Sequence, residues 1–441
     1  MDPSTLSIIM TVLLLLLIVI GVPIAFAMGI TGSLGIFLLG GMPTVLYTLG
    51  TYPVSRSATF VLVVIPLFIL MGNLALTGGV AAGAYSVAHK WLGRFKGGLV
   101  MVTIGACGLM GGTTGSTVAE AAAMGKIAIP EMVKYGVEKR LAVGTVASAG
   151  ALAILIPPSI SFVIYGVVTY QSIGKLFMAG LIPGVISAVI YMIMIYIRCS
   201  FNPNLAPRSE IIYTWKDRLL SLADAWGIIL LFVIVIGGLY TGIATATEVG
   251  ALGCIAGLAM TVVAISRGKS NWTMLWNAFF DTGKICAMVF AFIIGAGLFS
   301  LFITLAGVIP LIINFVMSLQ VSRLVILIAI CIFYLPLGMF FDPMAMILVT
   351  VPVFYPILVQ GLGYDPIWFG VILVILIEIS VITPPMAINL YIIKGVAPKE
   401  LEVTIGDIFY GSFWFLVMEI VLIAILIAFP DLATWLPSKM G

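Results

Sequence analysis

Two Pro-Pro pairs constrain this chain more than any other feature. Ile156-Pro157-Pro158-Ser159 and Thr383-Pro384-Pro385-Met386 both lie inside apolar stretches, 227 residues apart (384 minus 157) in a chain of 441. A proline has no amide hydrogen, so Pro157 and Pro158 release the carbonyls of Ala153 and Ile154, and Pro384 and Pro385 release those of Ser380 and Val381. In lipid, such carbonyls are tolerated only where they face protein or line a water-filled cavity. Matching interruptions in two halves point to a duplicated chain with one broken helix per half, the arrangement in which transporters hold ions and substrate. Two ordinary proline kinks in packed helices are the alternative.

Composition settles the solvent. Hydrophobic residues make up 62% of the chain and charged ones 8%, against about 25% charged in a soluble domain. The expectation is an all-α polytopic membrane protein without a soluble domain or a nucleic-acid surface. The apolar run from Leu6 has no basic flank or small-residue cleavage site, so it reads as a retained span. Basic residues cluster in 89–96, 126–140, 198–218 and 267–284. The positive-inside rule places those clusters in the cytoplasm of a bacterial inner membrane, with both termini periplasmic. Arg56, Lys175, Arg323 and Lys439 then lie outside.

Several chemistries lack their residues. Gly268-Lys269-Ser270 resembles the end of a phosphate-binding loop, but Val263 holds the position of the required earlier glycine. His89 is the one histidine, and Cys107, Cys199, Cys254, Cys286 and Cys331 stand singly, which suits packing and not a zinc site. Gly361-Leu362-Gly363 is followed by Tyr364, which spoils a GxGD protease motif. An intramembrane enzyme, the different-class alternative, thus has no motif to rest on.

Along the chain, 6–40 reads as two helices meeting at Gly21-Val22-Pro23, and 59–77 as a span. Residues 97–130 lie between two basic clusters and read as a re-entrant hairpin. The first broken helix is 141–170, followed by a span at 176–197 and an interfacial connector at 198–224. Spans at 226–240, 247–265 and 284–305 precede a second hairpin at 324–358, a second broken helix at 368–393 and a last span at 408–429. Residues 1–220 and 221–441 are expected to be two inverted-topology repeats. An offset of 227 lays Gly115 on Asp342 and Ser116 on Pro343, and an offset of 228 lays Gly78-Gly79-Val80 on Ala306-Gly307-Val308. Inverted repeats place the two hairpin tips together near the midplane.

The first tip reads Gly111-Gly112-Thr113-Thr114-Gly115-Ser116-Thr117. Its glycines admit close approach, and its hydroxyls are neutral oxygens that can replace water around a hard cation or hold an anion. A small-residue helix crossing is the plainer alternative. The second tip, Gly338-Met339-Phe340-Phe341-Asp342-Pro343, carries one carboxylate. An intramembrane acid is a functional candidate by default, although Asp followed by Pro is also an ordinary helix cap. Glu120, Glu248 and Glu378 are further acids in apolar surroundings, the last two read as structural pairing residues. Ser159 and Ser161 follow the first break, and Asn389 follows the second. Candidate cation ligands are Gly112, Ser116, Ala153 and Ile154 in the first half, and Gly338, Asp342, Ser380 and Thr383 in the second. Candidate substrate contacts are Thr113, Thr114, Ser116, Thr117, Ser159 and Asn389.

Six separated runs carry a resemblance. Gly21-Val22-Pro23-Ile24-Ala25-Phe26, Ile65-Pro66-Leu67-Phe68-Ile69-Leu70-Met71-Gly72, Leu155-Ile156-Pro157-Pro158-Ser159, Ala179-Gly180-Leu181-Ile182-Pro183-Gly184, Asp365-Pro366-Ile367-Trp368-Phe369-Gly370 and Ile382-Thr383-Pro384-Pro385 resemble the large membrane subunit of tripartite ATP-independent periplasmic (TRAP) transporters. The resemblance implies an elevator-type importer of a small organic acid anion, a carboxylate or sulfonate, driven by co-transported Na+. It also implies two partners besides membrane lipid: a small four-helix membrane subunit and a periplasmic substrate-binding protein. A related sodium-coupled anion carrier that works without a binding protein is the runner-up. Thr113-Thr114-Gly115-Ser116-Thr117 departs from the family's serine-rich tip, and Ala244-Thr245-Ala246-Thr247-Glu248 lacks a proline often found there.

Overall fold

Apolar composition and a succession of caps make almost every segment a helix. The computed structural model describes residues 2–207, 213–338, 341–385 and 387–440, and no β-strand occurs among them. Helix α1 (Pro3–Val19) turns through Gly21 into α2 (Ile24–Ser57), which runs past residue 40 with a kink at Gly41. A 3-10 turn leads to α3 (Val64–Thr77), and Gly79, at φ 88°, reverses the chain into α4 (Val80–Leu92). The first hairpin is α5 (Gly98–Thr114) and α6 (Thr117–Lys134). Next come α7 (Lys139–Ala149), a 3-10 turn at Gly150–Ile154, the Pro157-Pro158 break and α8 (Ile160–Thr169). Helix α9 (Ile173–Phe201) returns across the fold.

In the connector, residues 208–212 lie outside the described residues. Helices α10 (Trp215–Ser221), α11 (Trp226–Phe232) and α12 (Gly238–Tyr240) then continue as one apolar segment, Trp215–Tyr240. Helix α13 (Ala246–Ser266) starts from a capping box in which Glu248 accepts from the Thr245 backbone N–H and hydroxyl, a structural use of that acid. The second half follows as α14 (Trp272–Leu305), α15 (Val308–Ser318), the hairpin α16 (Arg323–Gly338) and α17 (Pro343–Tyr355), the broken pair α18 (Pro366–Ile382) and α19 (Ile388–Val396), then α20 (Ile405–Ala428) and α21 (Asp431–Ser438). Met339, Phe340 and Met386, part of the second tip and break, lie outside the described residues.

Three features differ from the sequence expectation. Helix α14 begins at Trp272 and not near 284, because Asn271 caps it there by accepting the Met274 N–H, and Asp281 and Lys284, 3.3 Å apart, sit on its exposed surface. The short helices α4, α15 and α21 occupy stretches to which the sequence reading assigns no element. The hairpin caps Ser116 and Asp342 correspond at an offset of 226 (342 minus 116), one less than the offset between the Pro-Pro pairs. Gly79 and Gly307, both with positive φ before a helix, correspond at 228 (307 minus 79).

Packing follows a crossed pattern. Helix α2 packs on α14 while α3 packs on α13; α7 packs on α20 while α18 packs on α9; α6 packs on α19 while α17 packs on α8. Each couple is the exchange of the other between the two halves, which is what a two-fold relation between repeats produces. Helix α18 is buried from Ile367 to Ile382, and a helix apolar on all sides belongs inside a bundle. Eight helical segments among the described residues are long and apolar enough to cross a membrane.

A candidate site where hairpin tips meet broken helices

The first tip rests on the first break. A β-carbon at Gly111 would stand 3.1 Å from Ala153 Cα, one at Gly112 3.4 Å from the Pro157 oxygen, and one at Gly115 2.5 Å from the Pro158 oxygen. Gly115 also adopts a left-handed φ of 58°, so both its conformation and its neighbour require glycine. From the other side Gly72 of α3 fits against the Thr114 backbone, where a β-carbon would lie 2.7 Å from its oxygen.

The second tip rests on the second break in the same way. Gly338 lies against Ser380, and a β-carbon there would collide with the serine's own. Asp342 caps α17, its Oδ1 accepting from the N–H groups of Met344 and Ala345 at 3.0 and 3.2 Å. The capping role is therefore made, and one carboxylate oxygen remains over. Both Pro-Pro bonds are cis. Residues 151–160 of the first break are buried, whereas Thr383 and Pro384 are half-buried and Pro385 is exposed.

Each candidate side chain has a definite hydrogen-bond state. Thr113 donates to the Met110 carbonyl at 2.7 Å, and Thr114 donates to Glu120 at 3.1 Å. Ser380 donates to Ile377 and Thr383 to Ile379, both at 2.7 Å. Ser116 and Ser159 do the reverse: each caps a helix by accepting a backbone N–H, from Ala119 and Phe162. Asn389 donates to the Ala147 carbonyl at 2.8 Å, leaving its Oδ1 buried and without a partner, as is Ser148 Oγ. Thr117 is buried next to Ser116 on the chain, and Ser161 is buried one residue into α8.

The carbonyls behave unequally. No backbone N–H among the described residues reaches the carbonyls of Ala153 or Ile154, since Leu155 and Ile156 both donate to Leu152. The Ser380 carbonyl instead accepts from Thr383 N–H at 3.3 Å, so the tightened end of α18 recovers it. Sequence reasoning passed over Glu419, which stands in an apolar helix and carries the same signal as Glu378. It also passed over Ser148, whose partnerless hydroxyl emerges only from packing.

The arrangement offers free carbonyls, unspent oxygens and helix N-termini, and among the described residues no cluster of His, Cys, Asp and Glu able to hold a metal ion. The chain matches the family described as tripartite ATP-independent periplasmic transporter, DctM component, over residues 11–432. It is 36% identical over 384 residues to the C4-dicarboxylate TRAP transporter large permease protein of Pseudomonas aeruginosa, covering 86% of this chain and 87% of that protein. It is 31% identical to the isethionate TRAP transporter permease protein of Oleidesulfovibrio alaskensis, covering 88% of this chain and 60% of that protein. In fold it resembles the YdaH transporter of Alcanivorax borkumensis, with a TM-score of 0.67 over 99% of this chain and 98% of that one at 15% identity. The chain therefore belongs to the DctM component family of tripartite ATP-independent periplasmic transporters, and is an integral membrane protein, the large permease of a secondary transporter.

Proposed function

We propose that this permease imports a small organic anion, a carboxylate or sulfonate, together with Na+ across a bacterial inner membrane. The observation that carries the reading is the doubled contact of a glycine-bearing tip with a proline break. Sodium, the co-transported cargo, suits the oxygens left over there. Gly112, Ser116 and the free carbonyls of Ala153 and Ile154 serve the first site, and Gly338, Asp342, Ser380 and Thr383 the second. Ser380 and Thr383 spend their O–H on backbone carbonyls, which leaves lone pairs for a cation.

The anion is proposed to bind between the first tip and first break. The β-carbon position of Gly115 lies 3.5 Å from Ile160 N, so the N-termini of α6 and α8 converge there. Two helix N-termini favour negative charge. Their caps, Ser116 and Ser159, accept from the backbone and so keep a hydroxyl proton to donate, as does the spare N–H of Asn389. Thr113 and Thr114 shape the tip, since their protons are already committed, and Thr117 completes it. At the second tip the corresponding N-terminus is filled by Asp342's own carboxylate, which suits a cation and repels an anion.

An elevator movement of the hairpins and broken helices against α2, α3, α13 and α14 is the proposed carrier step. Residues 1–220 and 221–441 act as inverted repeats with both termini periplasmic, and a small four-helix subunit and a periplasmic binding protein complete the transporter. Proteoliposome uptake of a panel of organic acids, with the binding proteins of related systems added in turn, tests the reading. Sodium-dependent accumulation of one acid supports it, and uptake driven by ATP alone contradicts it.

A further inference from the structure

At the end of α8 remote from the first break, a cavity of about 420 Å³ opens between the parts proposed to move against each other. On the static side, α2 and the turn after it supply Tyr52, Arg56 and Thr59, and α14 supplies Ser300. On the moving side, the end of α8 supplies Tyr170 and Gln171, with α17 along the wall. The volume falls in the range of small-molecule sites, about 300–1,000 Å³. Among the described residues, Arg56 is the one charged side chain that lines it, and no Asp or Glu does.

Arg56 is held in place with most of its donors unspent. Its guanidinium carbon stands 5.0 Å from the centre of the Tyr52 ring, and its Nη1 donates to the Tyr170 hydroxyl oxygen at 2.7 Å. Tyr52 is itself fixed, donating to the Gly297 carbonyl at 3.0 Å. No ion pair among the described residues includes Arg56. Because Tyr170 accepts from Arg56, its own O–H proton stays available, so guanidinium and phenol present donors side by side. Tyr170 also holds a left-handed φ of 57°, at a helix end where glycine is the easier residue. Backbone of that kind persists where the surroundings hold it, and the Tyr170 side chain is held by its bond to Arg56.

We propose that this cavity is a docking site for the incoming organic anion, in which the Arg56 guanidinium and the Tyr170 hydroxyl grip one carboxylate or sulfonate group. The chemical class follows from the donors. A planar cation beside an O–H suits an oxyanion, and a cation in a cleft without acids draws negative charge toward it. The proposal rests on the reading of the chain as an organic-anion importer and adds a stop before the first tip. Arg56 lies on the side that the positive-inside rule assigns to the periplasm. Helix α8 joins the two places: its ten residues span about 15 Å, from the N-terminus proposed to hold the anion to the Tyr170 end.

Charge-selective labelling of a cysteine placed in the cavity tests the proposal. The readout is modification and not uptake, so its failure is separate from a failure of the cargo reading. Thr59→Cys in the purified full chain, in non-ionic detergent, is treated with sulfonatoethyl methanethiosulfonate or with its trimethylammonium counterpart, and labelling of the parent chain is subtracted. Relative to their rates with a small free thiol, the anionic reagent should react several-fold faster than the cationic one. Succinate or isethionate should slow both. Adding Arg56→Gln should abolish the preference and the protection. Where that chain does not accumulate, Arg56→Lys keeps the charge but loses the planar fork, and should weaken the protection several-fold while retaining the preference. Equal relative rates for the two reagents, a preference that neither anion diminishes, or unchanged protection in whichever Arg56 variant folds overturns the proposal. Protection by a short-chain phosphatidylglycerol and by neither free anion also overturns it, by giving the cavity to a lipid headgroup.

Discussion

The side-chain amide of Asn389 donates to the carbonyl oxygen of Ala147 at 2.8 Å, and so the half-helix after the second break is tied to the half-helix before the first. The bond is buried and crosses between the two halves of the chain. Losing the donor leaves a buried carbonyl unsatisfied, a cost of about 1–3 kcal/mol. Asn389→Asp keeps an oxygen and removes the donor; Asn389→Ala removes both. Both are expected to lower the thermal unfolding temperature in detergent and to slow uptake. Wild-type stability in both variants would show that the bond does not hold the halves together.

Asp342 separates two roles that coexist in the structure. Asparagine caps a helix about as well as aspartate, so Asp342→Asn should leave stability unchanged, whereas Asp342→Ala should cost about 0.5–2 kcal/mol. If the remaining carboxylate oxygen serves sodium, Asp342→Asn should still raise the sodium concentration for half-maximal uptake several-fold. Sodium titrations of uptake by the two variants decide it: an asparagine variant with wild-type sodium dependence reduces Asp342 to a cap.

The glycines of the two tips should be intolerant for different reasons. Gly115→Ala meets both a left-handed φ and the Pro158 oxygen, and left-handed backbone alone costs a non-glycine residue about 1–2 kcal/mol. Gly338→Ala meets one residue, Ser380, its β-carbon first and its Cα at 3.0 Å. Gly338→Ala combined with Ser380→Gly should therefore recover packing, while no single neighbour restores Gly115→Ala. Thermal unfolding temperatures in detergent read this out, since Ser380 is itself a proposed cation ligand. Equal recovery at both tips would contradict the distinction.

The parts legible in the sequence were those with local chemistry. Pro157-Pro158 and Pro384-Pro385 cannot continue a helix, the Asp342-Pro343 pair is a cap in any context, and Gly115 marks a tip through its own left-handed backbone. What was not legible depends on distance along the chain. Tyr191 OH donates to Glu419 across 228 residues of chain (419 minus 191), and nothing in the periodicity of two apolar helices says which faces meet. The same holds for the bond from Asn389 to Ala147. The expected span at 284–305 is shorter than α14 because the basic cluster 267–284 reads as a loop, yet long side chains on a helix surface remain solvated. Short helices such as α4 and α15 fall below the length that marks a span.

The connector and the exposed helix α10, with Trp215 standing 69% exposed, suit an interfacial anchor. If the small subunit enlarges that anchor, the isolated chain should transport at a small fraction of the rate reached with the small subunit and binding protein present. Reconstitution with each component omitted in turn measures this. Full uptake of free substrate by the isolated chain would favour a partner-independent carrier.

The central claim is that oxygens left over at the tips and breaks bind sodium and couple it to the anion. The most direct measurement is uptake of radiolabelled organic acid into proteoliposomes holding the complete transporter, with an inward sodium gradient or an equal potassium gradient and no ATP. The account predicts concentrative uptake with sodium and only background with potassium, and a return to background when an ionophore collapses the sodium gradient. Undiminished uptake in potassium, or uptake that requires internal ATP, would contradict it.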